Sequence, residues 1–228
     1  MAAAITVLGM LAVSPRAGAA SDASVHPPAR DMAHQSIDSK RASVRVRLYD
    51  SAVVPAADQT VALRAATGVL AAAGIDITWL ACGRAESAAS PDACAIPLTR
   101  DELAVRLVRL PGKPSARGEL SMGYSLVDTG ISGGALATVY VDRVAWLVSQ
   151  AGRHPAIDGA TLLGYAIAHE LGHLLLGTNA HDATGLMRAV WSRVQLQRSN
   201  PRDWVFTAGE RLAMGHALLH RRLLIASN

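Results

Sequence analysis

The feature that most constrains this chain is a pair of histidines, His169 and His173, four residues apart in an apolar stretch. In an α-helix, residues at this spacing lie about one turn apart on the same face, so both imidazoles can reach one metal ion. Glu170 lies between them, where a carboxylate can accept a proton without binding the metal. The order His-Glu-x-x-His is typical of zinc hydrolases, in which the glutamate deprotonates a zinc-bound water. The pattern therefore predicts a helix that holds Zn²⁺.

The residues around this motif predict where the helix begins, ends and packs. An apolar face follows helical spacing at Leu163, Ile167, Leu171 and Leu174. Asp158 or Thr161 can cap the helix N-terminus, and Gly177 lies where a left-handed residue would end it. Position 169 is about 200° around the helix from position 167, so the histidines face away from the apolar stripe. We therefore expect one side of the helix to pack on a sheet and the other to face a cleft.

A catalytic zinc site needs a third protein ligand and an open position for water. His181 is the preferred candidate, because the chain can turn at Gly177 and bring a histidine back toward the metal. Asp182 and Glu210 remain alternatives, since carboxylates also bind zinc. For Glu210 we favour another role, which is to cap its own helix from the N3 position. With Glu170 as the catalytic residue, the predicted metal ligands are His169, His173 and His181.

The helix motif, the glycine turn, the further histidine and the sequence Gly185-Leu186-Met187 resemble the metzincins, zinc peptidases of the zincin clan with a methionine turn beneath the metal. Here the pattern is H-E-x-x-H-x-x-x-G-x-x-x-H, so glycine and the third histidine come later than in the family. The resemblance implies peptide-bond hydrolysis, with Glu170 passing the water proton to the leaving amine and Met187 forming a hydrophobic floor. It also implies that the strand at 134–141 is the sheet edge along which an extended peptide lies.

Alternating or β-branched stretches predict a sheet of about five strands. They lie at 44–49, 75–80, 103–110, 121–128 and 135–141. An Ala-rich helix is predicted at 58–73, and the capping-box spacing of Thr207 and Glu210 predicts a C-terminal helix. We therefore expect a zincin-like α+β fold. Its mixed, mostly antiparallel sheet would pack on the N-terminal and active-site helices, with the C-terminal helix below the cleft.

The N-terminal region and the cysteines predict export. Residues 1–20 contain a short apolar run followed by small residues, typical of a secretory signal peptide, although no Lys or Arg precedes the run and a buried N-terminal element is the alternative. Residues 21–43 predict a flexible lead, and 44–228 a single domain. Cys82 and Cys94 favour a disulfide over two free buried thiols. We expect a periplasmic or secreted protein without stable membrane insertion after signal removal.

Composition narrows the function further. The chain has 228 residues, of which 50% are hydrophobic, enough to bury one sizeable core. Its net charge of +4 comes from scattered arginines without interleaved aromatics, so we expect no nucleic-acid binding. The expected activity is that of a zinc metallopeptidase, acting as an endopeptidase on a peptide or protein substrate. The alternatives are an inert zinc-holding binding or assembly module and a hydrolase of non-peptide amides. Substrate preference, zymogen control and oligomeric state are not specified by the sequence.

Overall fold

The computed structural model describes residues 41–83, 91–110, 121–128, 133–152, 155–198 and 200–226. The strands in these ranges are β1 (Ala42–Asp50), β2 (Ile75–Cys82), β3 (Glu102–Val108), β4 (Gly123–Asp128) and β5 (Gly133–Tyr140). The α-helices there are α1 (Ala56–Ala72), α2 (Pro91–Ala95), α3 (Val141–Gln150), α4 (Gly159–Leu176), α5 (Arg193–Arg198) and α6 (Ala208–Ala226). A 3₁₀ helix lies at Pro201–Trp204. The predicted signal peptide (1–20) and most of the predicted lead (21–43) fall outside the described residues, but Ala42 and Ser43 already belong to β1.

The strands form one mixed sheet in the order β2-β1-β3-β5-β4. This confirms the α+β class and the five strands. The expectation of a mostly antiparallel sheet was wrong: β1 pairs in parallel with β2 and β3, and β3 pairs in parallel with β5. The reason lies in the connections, because α1 and the segment 83–101 are long enough to return the chain to the same end of the sheet. Among the described strands, only β4 is antiparallel to its neighbour, β5.

The position of β4 changes which strand is available to a peptide. The expectation that residues 134–141 form the sheet edge was wrong, because β5 pairs with β3 on one side and with β4 on the other. A strand at the end of a sheet keeps one row of backbone N–H and C=O groups unpaired within the sheet. On this side of the described sheet the edge strand is β4, which continues directly into the functional site described below.

Helices α1 and α4 pack together against one face of the sheet. The apolar stripe predicted for α4 lies in the core, where Ile167, Leu171 and Leu174 are fully buried. It meets strand side chains such as Val46 and Val105, which are also fully buried. Each such side chain contributes about 1.5–3 kcal/mol through the hydrophobic effect. The packing fixes α4 on the sheet, and with it the orientation of the predicted metal ligands.

The predicted helix ends are confirmed. The N-cap residue of α4 is Asp158, whose carboxylate accepts a hydrogen bond from the Thr161 backbone N–H at 2.7 Å. The helix ends at Gly177, which has a left-handed φ of 67°. At the start of α6, the Thr207 N–H donates to Glu210 Oε2 at 2.6 Å, and the Glu210 N–H donates to Thr207 Oγ1 at 3.3 Å. This capping box satisfies backbone donors that the helix itself leaves free.

The segment before β3 is attached to the sheet by a disulfide and a buried ion pair. Cys82 at the end of β2 is bonded to Cys94 in α2, as the sequence favoured. Nearby, the buried Arg47 guanidinium donates to the Ile96 carbonyl at 2.7 Å and to the Glu102 carboxylate at 2.5 Å. The two attachments hold the chain across the sheet face that α1 and α4 leave uncovered. No helix in the described ranges is long and apolar enough to cross a membrane.

Candidate metal centre and cleft

Helix α4 and the loop after it bring three histidines together. The Nε2 atoms of His169 and His173 are 3.1 Å apart. The His181 ring returns from the loop beyond Gly177, and its centroid lies 5.3 Å from that of His169 and 4.8 Å from that of His173. One ring nitrogen from each residue lies within 4.8 Å of the others. Of the residues that the structure describes, these three form the group that could hold a metal ion.

The hydrogen bonds of the two helix histidines leave their Nε2 lone pairs free. His169 Nδ1 lies 2.8 Å from the Leu186 carbonyl oxygen, and His173 Nδ1 lies 2.8 Å from that of Thr178. A carbonyl oxygen can only accept, so each Nδ1 carries the proton and donates it. In the neutral rings both Nε2 atoms then present lone pairs to each other without a hydrogen between them. This arrangement fits a shared cation, and backbone carbonyls commonly hold metal-binding histidines in this tautomer.

Burial keeps these imidazoles neutral. It lowers the pKa of His169 to about 3, against the hydrogen bond to the Leu186 carbonyl, which favours the charged ring. Burial also lowers the pKa values of His173 and His181. Part of the cover over His169 comes from Trp191, whose ring is perpendicular to the imidazole at a centroid distance of 5.6 Å. A neutral imidazole is the form that binds metal, so the surroundings favour the ligand state.

The structure does not bring the two alternative carboxylates into the cluster. Among the described residues, the group that could hold a metal ion consists of the three histidines. Glu210 caps α6, as described above, and burial together with the neighbouring Asp182 carboxyl raises its pKa. The backbone N–H of Asp182 donates to the Met187 carbonyl at 2.9 Å, closing the turn that leads to the methionine. His181 is therefore the candidate third ligand that lies with the other two.

Met187 lies against the helix backbone between the two helix histidines. A Cβ atom added at Gly172 would lie 2.6 Å from Met187 Sδ and 2.7 Å from Phe206 Cε1. The close packing therefore needs glycine at position 172. Met187 itself is 1% exposed and belongs to the core. The residue before it, Leu186, supplies the carbonyl that orients His169, so one turn provides both contacts.

Glu170 is buried beside the cluster, and strand β4 contacts both oxygens of its carboxyl group. The hydroxyl of Ser125 lies 2.7 Å from Glu170 Oε2 and 2.8 Å from the Glu170 backbone oxygen. A Cβ at Gly123 would lie 2.6 Å from Oε1, so glycine leaves the room that this oxygen occupies. Burial raises the pKa of Glu170 to about 7, against the hydrogen bond from Ser125. One carboxyl oxygen is therefore fixed by Ser125, and the other lies beside the glycine.

The three histidines and Glu170 line a cleft of about 640 Å³. Its walls are the start of the edge strand β4, one face of α3, α4, and the segment after the methionine turn. Representative lining residues from these elements are Gly123, Ser125, Arg143, Trp146, Ala166 and Trp191. The face of α4 that carries His169 and His173 lines this cleft, as the sequence predicted, while the apolar residues on the opposite face pack in the core.

Several lining residues were missed by the sequence analysis. Helix α3 was not predicted, although Val141, Val144 and Val148 follow helical spacing. Nothing in the sequence indicated Trp191, because its contact with His169 joins residues from different elements. Ser125 lies on a strand that was predicted, but the partner of its hydroxyl depends on how β4 sits over α4.

No protein-family model matches the chain, and no curated protein matches it. Among solved structures, the chain is similar to an archaemetzincin from Methanopyrus kandleri, with 14% identity, a TM-score of 0.46, and coverage of 78% of this chain and 97% of the other. It is also similar to metalloproteinase-II from Bacteroides fragilis, with 16% identity, a TM-score of 0.44, and coverage of 78% of this chain and 53% of the other. At such low identities and TM-scores, neither likeness assigns a function to this chain.

Proposed function

We propose that this protein is a zinc-dependent peptidase whose active site is the cleft between β4 and α4. The observation that carries the proposal is the convergence of two proton-free Nε2 atoms and a ring nitrogen of His181 beside a buried glutamate. His169, His173 and His181 would hold the metal. Zinc bound by three protein ligands acts as a Lewis acid and brings the pKa of water close to neutral.

Glu170 would take the proton from the attacking water and deliver it to the leaving amine. The contacts of Ser125 suit both states of this cycle. When Glu170 is ionised, the Ser125 O–H can donate to Oε2. When Glu170 carries the proton, its O–H can donate to Ser125 Oγ while the Ser125 O–H donates to the Glu170 backbone oxygen. A single hydroxyl can thus hold the carboxyl group in place before and after proton transfer.

An extended peptide would bind along β4, by backbone hydrogen bonds to the edge of the sheet. This strand lies beside Glu170 through Gly123 and Ser125, so a peptide paired with it runs past the catalytic carboxyl group. Strand β4 thus takes the place of β5, which the sequence predicted as the edge, because β4 is the end strand on this side of the described sheet. Cleavage within the peptide, as an endopeptidase, is part of the proposal.

Metal analysis with a peptide-library digest tests the function. We expect one zinc per chain, cleavage that a chelator abolishes, and a fall of cleavage to a small residual rate in Glu170→Gln with zinc retained. His216→Ala is the matched control, because His216 is exposed on α6 and should keep both zinc and activity. Stoichiometric zinc without Glu170-dependent cleavage would indicate an inert zinc-holding module. Cleavage of small amides but not of peptides would indicate the non-peptide alternative, and absence of zinc refutes all three.

The third ligand has its own test. We expect His181→Ala to weaken zinc binding at least tenfold, as measured by competition with a chelator. Asp182→Ala and Glu210→Ala should bind zinc like the wild type, because the carboxylates lie outside the histidine group. Wild-type affinity in His181→Ala contradicts the assignment.

We also propose that the protein works outside the cytoplasm, in the periplasm or as a secreted enzyme. The Cys82–Cys94 disulfide supports this location, because disulfides persist mainly in oxidising compartments. Mass spectrometry of the protein recovered from the source cells tests it. Removal of about the first 20 residues is the expected result, and an intact N-terminus in a cytoplasmic fraction contradicts it.

A further inference from the structure

One arginine of the cleft forms no ion pair with a carboxylate of the residues that the structure describes. Arg143 of α3 lines the cleft, and its Nη1 donates to the Ser121 carbonyl at 2.7 Å. Its guanidinium lies 4.7 Å from the centre of the Tyr140 ring. No carboxylate in the described residues forms an ion pair with it. The other arginine of the cleft, Arg188, differs in this respect, because it forms an ion pair with Asp203 at 3.1 Å.

The carbonyl that Arg143 binds marks one end of the edge strand. The Met122 carbonyl points toward β5, where it accepts from the Tyr140 N–H at 2.8 Å. Successive carbonyls alternate in direction along a strand, so those of Ser121 and Gly123 point away from the sheet. The Ser121 carbonyl is bonded to Arg143, and the Gly123 carbonyl to the Ser121 hydroxyl. At this end of β4 the outward carbonyls are therefore already hydrogen-bonded, and a peptide that pairs with the strand would lie next to the Arg143 guanidinium.

We propose that Arg143 binds a substrate carboxylate at this end of β4, so that the cleft selects peptides with a free C-terminus or an acidic side chain at that position. This inference rests on the proposed peptidase function and names its substrate class. A guanidinium has five N–H donors in a planar fork that matches a carboxylate, and the Ser121 carbonyl accepts from only one nitrogen. The Tyr140 ring holds the guanidinium in place, so little side-chain freedom is lost on binding.

Matched peptide pairs test the inference. One pair differs only in a free or amidated C-terminus, and a second pair has Glu or Gln at each successive position around the cleaved bond. We expect the wild type to cleave the carboxylate form of at least one pair with a kcat/KM on the order of 10- to 100-fold higher. A preference in the first pair identifies the C-terminus as the source of the carboxylate and replaces the endopeptidase part of the proposed function with cleavage near the C-terminus. A preference in the second pair identifies a side chain and keeps the endopeptidase part.

Three variants separate recognition from structure. Arg143→Gln should remove the preference while cleavage of the neutral peptides continues, and Arg143→Glu should turn the preference toward a Lys-containing peptide. Arg193→Gln removes an equal charge from an exposed position on α5 and should keep the wild-type preference. The inference is overturned if the wild type treats both members of every pair alike or if the preference survives in Arg143→Gln. Those results leave Glu170-dependent cleavage of neutral peptides intact, whereas a complete lack of cleavage refutes the proposed function itself.

Discussion

Replacing Ser125 by alanine should slow the reaction without weakening substrate binding. Ser125 is buried, and its hydroxyl is the hydrogen-bond partner of Glu170 Oε2 at 2.7 Å. A hydrogen bond to a charged group contributes about 1.5–3 kcal/mol. If that energy is used to hold the carboxyl group toward the water, its loss corresponds to a drop in kcat of about 10- to 100-fold. KM should change little, because Ser125 points toward Glu170 and not toward the outer edge of β4.

The assay is steady-state kinetics on one peptide, with kcat and KM measured separately, zinc content determined, and thermal unfolding followed for each variant. Ser125→Thr keeps the hydroxyl and should recover most of kcat. The double variant Ser125→Ala/Glu170→Gln is the decisive control, since a serine that acts through Glu170 should cost nothing more once the carboxylate is gone. A further loss of the full 10-fold or more in that background contradicts the reasoning, as does a higher KM with unchanged kcat.

Four further outcomes follow from contacts elsewhere in the fold and from the packing at Gly172. Glu102→Ala leaves the buried Arg47 unpaired and should lower the free energy of unfolding in urea by about 3–5 kcal/mol. Burial raises the pKa of the Glu102 carboxyl, but hydrogen bonds, chiefly from Arg47, outweigh it and hold the pKa below its ordinary value of 4.5. The stability that this ion pair contributes is therefore present above pH 4.5 and is lost as the pH falls through the lower pKa of the folded state. In acid titrations, Glu102→Gln should accordingly lose less stability in this pH range than the wild type. Removing the Cys82–Cys94 disulfide, with a sequence separation of 12, should cost about 3 kcal/mol in the chain-entropy estimate and lower the melting temperature. Gly172→Ala should lower both zinc affinity and thermal stability, and wild-type values for both would show that the packing is looser than the structure indicates.

Local signals in the sequence were enough to predict α4, the helix of the proposed metal site. Its cap at Asp158, its end at Gly177 and the spacing of His169 and His173 depend on residues within a few turns of one another. The capping box of α6 has the same local character, and it correctly assigned the Glu210 carboxylate to its own helix. Helix geometry fixes which residues share a face, so these features can be read without knowing the fold.

The directions and neighbours of the strands could not be predicted in this way. An alternating pattern shows which strand residues face the core, but it does not identify the strand that pairs with each side. For this reason β5 was mistaken for the edge and the sheet for mostly antiparallel. The same limit explains why Ser125 was missed, because its contact with Glu170 depends on β4 lying over α4. Arg143 was missed because it lies on α3, the unpredicted helix that begins at Val141, where the predicted strand 135–141 ends.

The long interval between His173 and His181 follows from how the helix histidines are oriented. The first residue after the Gly177 turn, Thr178, gives its carbonyl to His173 Nδ1, so the chain passes this imidazole before it returns His181 to the cluster. Leu186, beyond His181, then gives its carbonyl to His169 Nδ1. One loop therefore supplies the third ring and fixes the tautomers of the other two. Since a ligand histidine needs its second nitrogen held as well as its first, the extra residues before His181 belong to the proposed metal site and are not an insertion beside it.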